Sequence, residues 1–155
     1  MLRSLDAGLT WELRAALASG SARALAVDIE DPDLVYVAAL PISSGDPAAY
    51  RSADGGQTFE PFTEGLPDPS IGGRVAQEPS TGVLYLTTSS GGMGALWRRE
   101  PGEGTWTEVP TPVEGMSVVS ALYLTSDGWL YVGGSGLWRV DTRTLASVEP
   151  GPCEP

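Results

Sequence analysis

Three markers recur along this chain in constant order, and their spacing constrains the fold more than any other feature of the sequence. A Thr-aromatic pair stands at Thr10-Trp11, Thr58-Phe59 and Thr105-Trp106, in steps of 48 and 47 residues. A tyrosine inside a short apolar run keeps the same beat: Tyr36 in LVYVAA, Tyr85 in VLYLTT and Tyr131 in WLYVGG, 49 and 46 residues apart. The third marker is an arginine-bearing stretch: LRS (2–4), AYRS (49–52), LWRR (96–99) and LWRV (137–140). Such an array folds as like supersecondary units, none of which can bury its faces alone.

Each unit parses as four short strands. In the first they cover 23–29, 34–39, 48–52 and 58–62, separated by the turn-rich pieces EDPD (30–33) and ADGGQ (53–57). Units two and three begin with GRVAQ (73–77) and VVSALYL (118–124) and end with TWTEV (105–109) and TLASV (144–148). A four-stranded antiparallel unit of roughly 40–50 residues is the size of a propeller blade. The expected fold is therefore all-β: a single partial β-propeller domain over 1–155, with a half blade at 1–14 and blades at 22–63, 72–110 and 117–149. Twenty glycines and thirteen prolines agree with short strands and many turns. A competing reading makes 11–25 a short helix or cap, since Leu13, Ala16 and Leu17 are spaced for one or two helical turns.

The pattern Ser-x-Asp-x-Gly-x-Thr-(Trp/Phe) occurs as Ser4, Asp6, Gly8, Thr10, Trp11 and as Ser52, Asp54, Gly56, Thr58, Phe59. It resembles the Asp-box, or BNR repeat, of sialidase-like, sortilin-like and xyloglucanase-like β-propellers. The third copy keeps Gly102, Thr105 and Trp106 but has Arg99 and Pro101 where Ser and Asp belong; the fourth is barely recognisable. These residues read as structural: the carboxylate and hydroxyls satisfy turn backbone groups, glycine supplies positive φ, and the aromatic anchors the outer strand. The resemblance implies that such hairpins lie at the blade periphery, opposite the ligand cleft. It also implies an extracellular or periplasmic location, although the N-terminus reads as carrying no signal peptide.

Composition narrows the chemistry. Net charge is −11, with nine arginines and no lysine, so nucleic acid is a poor partner. No apolar run approaches the ~18 residues that would imply membrane insertion. Without histidine, and with a lone Cys153, the commonest general base, an internal disulfide and the usual metal ligand sets are missing. No cofactor or metal is expected.

Blade topology puts the loops between strands two and three, and the linkers between blades, at one end. There the sequence offers the carboxylates Asp46, Glu64, Asp68 and Glu114, of which Asp46, Asp68 and Glu114 are the candidates for catalysis. Two carboxylates about 5–10 Å apart can hydrolyse a glycosidic bond, whereas solvated turn carboxylates are the ordinary alternative. The arginine triad and Tyr/Glu pair that a sialidase resemblance implies cannot be assembled: Arg3, Arg51, Arg98 and Arg139 repeat as architecture, leaving Arg23 and Arg74 on innermost strands. The expectation is a non-catalytic scaffold or binding module for a protein or carbohydrate, self-associating to complete a ring. The alternative is part of a glycoside hydrolase using the loop carboxylates.

Overall fold

The structure is a computed structural model describing residues 1–110, 119, 121–134, 136–145 and 147–148. The chain opens with a two-stranded hairpin, β1 (Leu2–Arg3) and β2 (Glu12–Leu13). Three four-stranded antiparallel sheets follow, each in simple up-and-down order. The first holds β3 (Ser21–Val27), β4 (Val35–Leu40), β5 (Ala49–Ser52) and β6 (Glu60–Pro61). The second holds β7 (Ile71–Gln77), β8 (Leu84–Ser90), β9 (Met93–Arg99) and β10 (Thr107–Val109). The third holds β11 (Ala121–Leu124), β12 (Trp129–Gly133), β13 (Leu137–Asp141) and β14 (Ser147–Val148). No helix occurs among the described residues.

The sheets stack face to face because their central strands are apolar on both sides. In β4, Val35, Val37 and Ala39 bury against Met1, Leu17 and Phe59, while Tyr36 and Ala38 face the second sheet. In β8, Leu84 and Leu86 return that contact, and Tyr85 turns with Val83 and Leu96 toward Leu130, Val132 and Val140 of the third sheet. A period of two with both faces covered produces the continuous hydrophobic runs seen in the sequence. The first strands lie side by side, β7 between β3 and β11. This is the packing of β-propeller blades, about three and a half of them.

Gly72 marks where one sheet meets the next. A Cβ there would sit 2.1 Å from the Ala48 carbonyl oxygen and 2.7 Å from the Ala39 amide nitrogen, so only glycine admits this approach. Both innermost strands of the first two sheets carry a bulge, between Ala22 and Ala24 and between Gly72 and Val75. The residues caught in them include Arg23 and Arg74, and the Arg74 amide donates to the buried Thr87 hydroxyl at 2.8 Å.

The competing helical reading is corrected. Residues 11–25 form no helix: Glu12–Leu13 pairs with β1, and Ser21 already pairs with Leu40. The neighbours' unpaired edges outweigh a short amphipathic spacing that has no continuing face to bury. Residues 88–94 continue the second sheet. Strands β8 and β9 run on until Ser90 pairs with Met93, closing on Gly91-Gly92 with φ of 58° and 83°, a two-residue turn that requires positive φ twice.

Candidate functional site

The two ends of the sheets differ in chemistry. At one end lie the β4–β5 loop, the linker into β7 and the β8–β9 turn. A shallow groove of about 150 Å³ there is lined by Pro41, Ser43, Asp46, Pro69, Ile71 and Ser90 among others. Asp46 is committed to its own loop: one carboxylate oxygen accepts the amides of Ser43 (2.8 Å) and Ile42 (3.1 Å). Its carboxyl is held below the ordinary range, by the Ser19 hydroxyl first and then by these amides. Asp68 is exposed beside the groove, next to Pro69, whose carbonyl accepts the Ser90 hydroxyl at 2.7 Å. Glu114 lies outside the described residues.

At the other end stand the two Ser-x-Asp hairpins, and their bonds match atom for atom. The Ser4 hydroxyl donates to Asp6 Oδ1 (2.8 Å) and accepts the Gly8 amide (2.8 Å). The Thr10 amide reaches Asp6 Oδ1 (2.8 Å) and its hydroxyl Asp6 Oδ2 (2.6 Å). Ser52, Asp54, Gly56 and Thr58 repeat this at 2.8, 2.8, 2.9 and 2.6 Å. Gly8 and Gly56 have φ of 88° and 84°. Both carboxylates are engaged on both oxygens by their own turns. In the third copy the polarity reverses: Arg99 Nε donates to the Glu103 carbonyl at 2.9 Å, closing the turn without an aspartate.

The following aromatics diverge. Trp106 is buried, its indole donating to the Phe62 carbonyl at 2.8 Å and its ring meeting Phe62 edge-on at 5.5 Å. Phe59 packs on the cluster that includes Met1. Each thus turns toward the preceding unit. Trp11, with no preceding sheet among the described residues, is 60% exposed.

A feature the sequence reading missed lies between the first and second sheets at this end: a cavity of about 490 Å³ bordered by Tyr36, Arg51, Phe62 and Arg99. The third-strand arginines were read as one architectural set, yet they differ. Arg3 pairs with Asp33 (2.8 Å), Arg98 with Glu100 (2.6 Å), and Arg139 lies over Trp129 (4.4 Å). Arg51 has no such partner among the described residues. It stands opposite Tyr36 in the β4–β5 register. No cluster of three or more metal-ligating side chains occurs among the described residues.

No family model matches the chain. It is 31% identical over 125 residues to a xyloglucanase from Paenibacillus sp, across 67% of this chain and 12% of that protein. It is 37% identical over 99 residues to xyloglucanase Xgh74A from Acetivibrio thermocellus, across 55% of this chain and 11% of that one. The chain therefore spans about an eighth of the length of these relatives. Among solved structures it resembles the GH74 xyloglucanase from Xanthomonas campestris, with a TM-score of 0.69 and 21% identity over 99% of this chain and 27% of the other. It also resembles YCF48 bound to D1 peptide, with a TM-score of 0.57 and 18% identity over 96% of this chain and 46% of the other. These likenesses establish the β-propeller fold.

Proposed function

We propose that this chain is a segment of a carbohydrate-active propeller of the xyloglucanase type, and that its loop end meets the glucan. The observation that carries this is the sequence likeness to xyloglucanases, which extends over two thirds of the chain at 31% identity. The loop end adds a fitting surface: serines and apolar residues around a shallow groove, the mixture that accepts hydroxyls and sugar faces. We further propose that the two Ser-x-Asp hairpins are Asp-boxes, that 22–63, 72–110 and 117–149 are blades, and that the protein works outside the cytoplasm.

Within this reading the segment holds a glycan, and its loop acids decide whether it also cleaves one. A general acid for glycoside hydrolysis needs a raised carboxyl pKa. At the loop end the Asp46 carboxyl is instead held low, which does not suit it to that role. Hydrolysis would call on Asp68, which no described turn engages, and on Glu114, which lies outside the described residues. Affinity electrophoresis in gels containing xyloglucan, with a parallel assay for released reducing ends, tests both. Retardation that Asp68→Asn leaves intact, without new reducing ends, is the expected result. Unretarded migration at every polysaccharide concentration overturns the glycan reading, and reducing ends that vanish in Asp68→Asn transfer it to hydrolysis.

A further inference from the structure

The cavity between the first two sheets lies at the opposite end from the glycan groove, and its charges are unevenly satisfied. Its volume, about 490 Å³, is that of a small-molecule site. Asp28, on its border, is fully used: one oxygen accepts the amides of Glu30 and Asp31 (both 3.0 Å) and the other the Gln77 side-chain amide (2.6 Å). The arginines are not. Arg99 spends Nε on the Glu103 carbonyl and lays its guanidinium on Phe62, 3.8 Å from the ring centre. Its buried Nη1 has no hydrogen-bond partner, the nearest carboxylate oxygen, of Glu64, being 3.8 Å away. Arg51 is less satisfied still. Its Nε is buried without a partner, and the side chain forms no ion pair among the described residues. Tyr36, directly opposite Arg51 across β4 and β5, borders the same cavity.

A buried guanidinium N–H without an acceptor is costly, more so than the net worth of the bond it would make. Arg51 has no carboxylate partner among the described residues and Arg99 only the long contact to Glu64, and a planar acceptor with two oxygens suits an arginine fork better than any other side chain. We propose that this cavity binds the carboxylate of a small monoanionic ligand, with Arg51 and Arg99 as charged donors and Tyr36 as the neutral one. Glu30, Glu100 and Glu103 border the same cavity, and with a net charge of −11 they disfavour any second negative charge on the ligand. Phe62 and Leu84 supply an apolar wall for its body. A sugar acid and a small N-acylated amino acid present this same group.

Calorimetric titration of the full chain distinguishes them, with sodium D-glucuronate and N-acetylglycine as probes and glucose and N-acetylglycinamide as their neutral counterparts. Saturable binding of at least one carboxylate and none of its neutral counterpart is expected, with Arg51→Gln weakening it about tenfold or more. Glucuronate alone identifies a sugar acid, and N-acetylglycine alone an acyl amino acid. Arg51 has no partner to lose, so Arg51→Gln should fold; Tyr36→Phe, which keeps the ring, gives a second, smaller loss if it does not. Absent binding, equal binding of the neutral compounds, or affinity unchanged in both variants overturns the proposal. None of these outcomes depends on xyloglucan retardation, which reads the other end of the sheets.

Discussion

Asp6 and Asp54 show how a single residue can be fully occupied by its own turn. Thr10 donates a hydroxyl and an amide to Asp6 and Ser4 adds a hydroxyl, which brings that carboxyl down to about 2. Asp54 is lowered by Thr58 and Ser52 in the same way. An unfolded aspartate titrates near ~3.9, so in acid the folded state binds fewer protons than the unfolded one. The stabilisation is complete above that value and drains away as pH falls from about 4 toward 2. Thermal melts should hold their midpoint from pH 7 to 5 and drop steeply below 4. Asp54→Asn should melt lower at pH 7 and lose part of that acid drop, because its turn no longer titrates. An unaltered acid limb in the variant would mean the drop arises elsewhere.

At the level of strands, the close approach at Gly72 predicts a large effect from one methyl group. Gly72→Ala should cost about 3 kcal/mol, since the obstacle is backbone and cannot swing aside. Gly104, whose added Cβ would meet nothing, serves as the control. Gly104→Ala should lie between neutral and about 1 kcal/mol stabilising by urea melts. The central strands were legible because Tyr36, Tyr85 and Tyr131 sit in runs apolar on both faces. Strand ends were less so: β6 is only Glu60–Pro61, where the sequence pattern had extended from 58 to 62. The hairpin at 91–92 escaped notice because a glycine pair reads equally as a loop until its partner strand is known. The site was less legible still. Asp46 is anchored through Ser19, and Arg51 meets Arg99 only when two sheets stack, so both depend on contacts remote in sequence.

For the whole molecule, stacking leaves unlike surfaces at the two ends of the array. Leu25 and Val27 of β3, together with Leu5, Leu9, Trp11 and Leu13 around the hairpin, are largely exposed, as are Tyr123 and Leu137 on the third sheet. Corresponding faces inside the array are covered by a neighbouring sheet, and contiguous apolar surface of this kind drives association. Light scattering over a concentration series should show mass rising with concentration, and Leu25→Glu with Val27→Glu should reduce it. A monomer at all concentrations would argue against these faces as contacts.

The central claim is that the loop end receives the glycan while the Ser-x-Asp hairpins are structural. Amide hydrogen exchange with and without a xyloglucan oligosaccharide tests it most directly. The account predicts added protection in residues 40–48 and 63–71, with the amides of Gly8, Gly56, Thr10 and Thr58 unchanged. Protection confined to those hairpin amides, or none anywhere at saturating oligosaccharide, would contradict it.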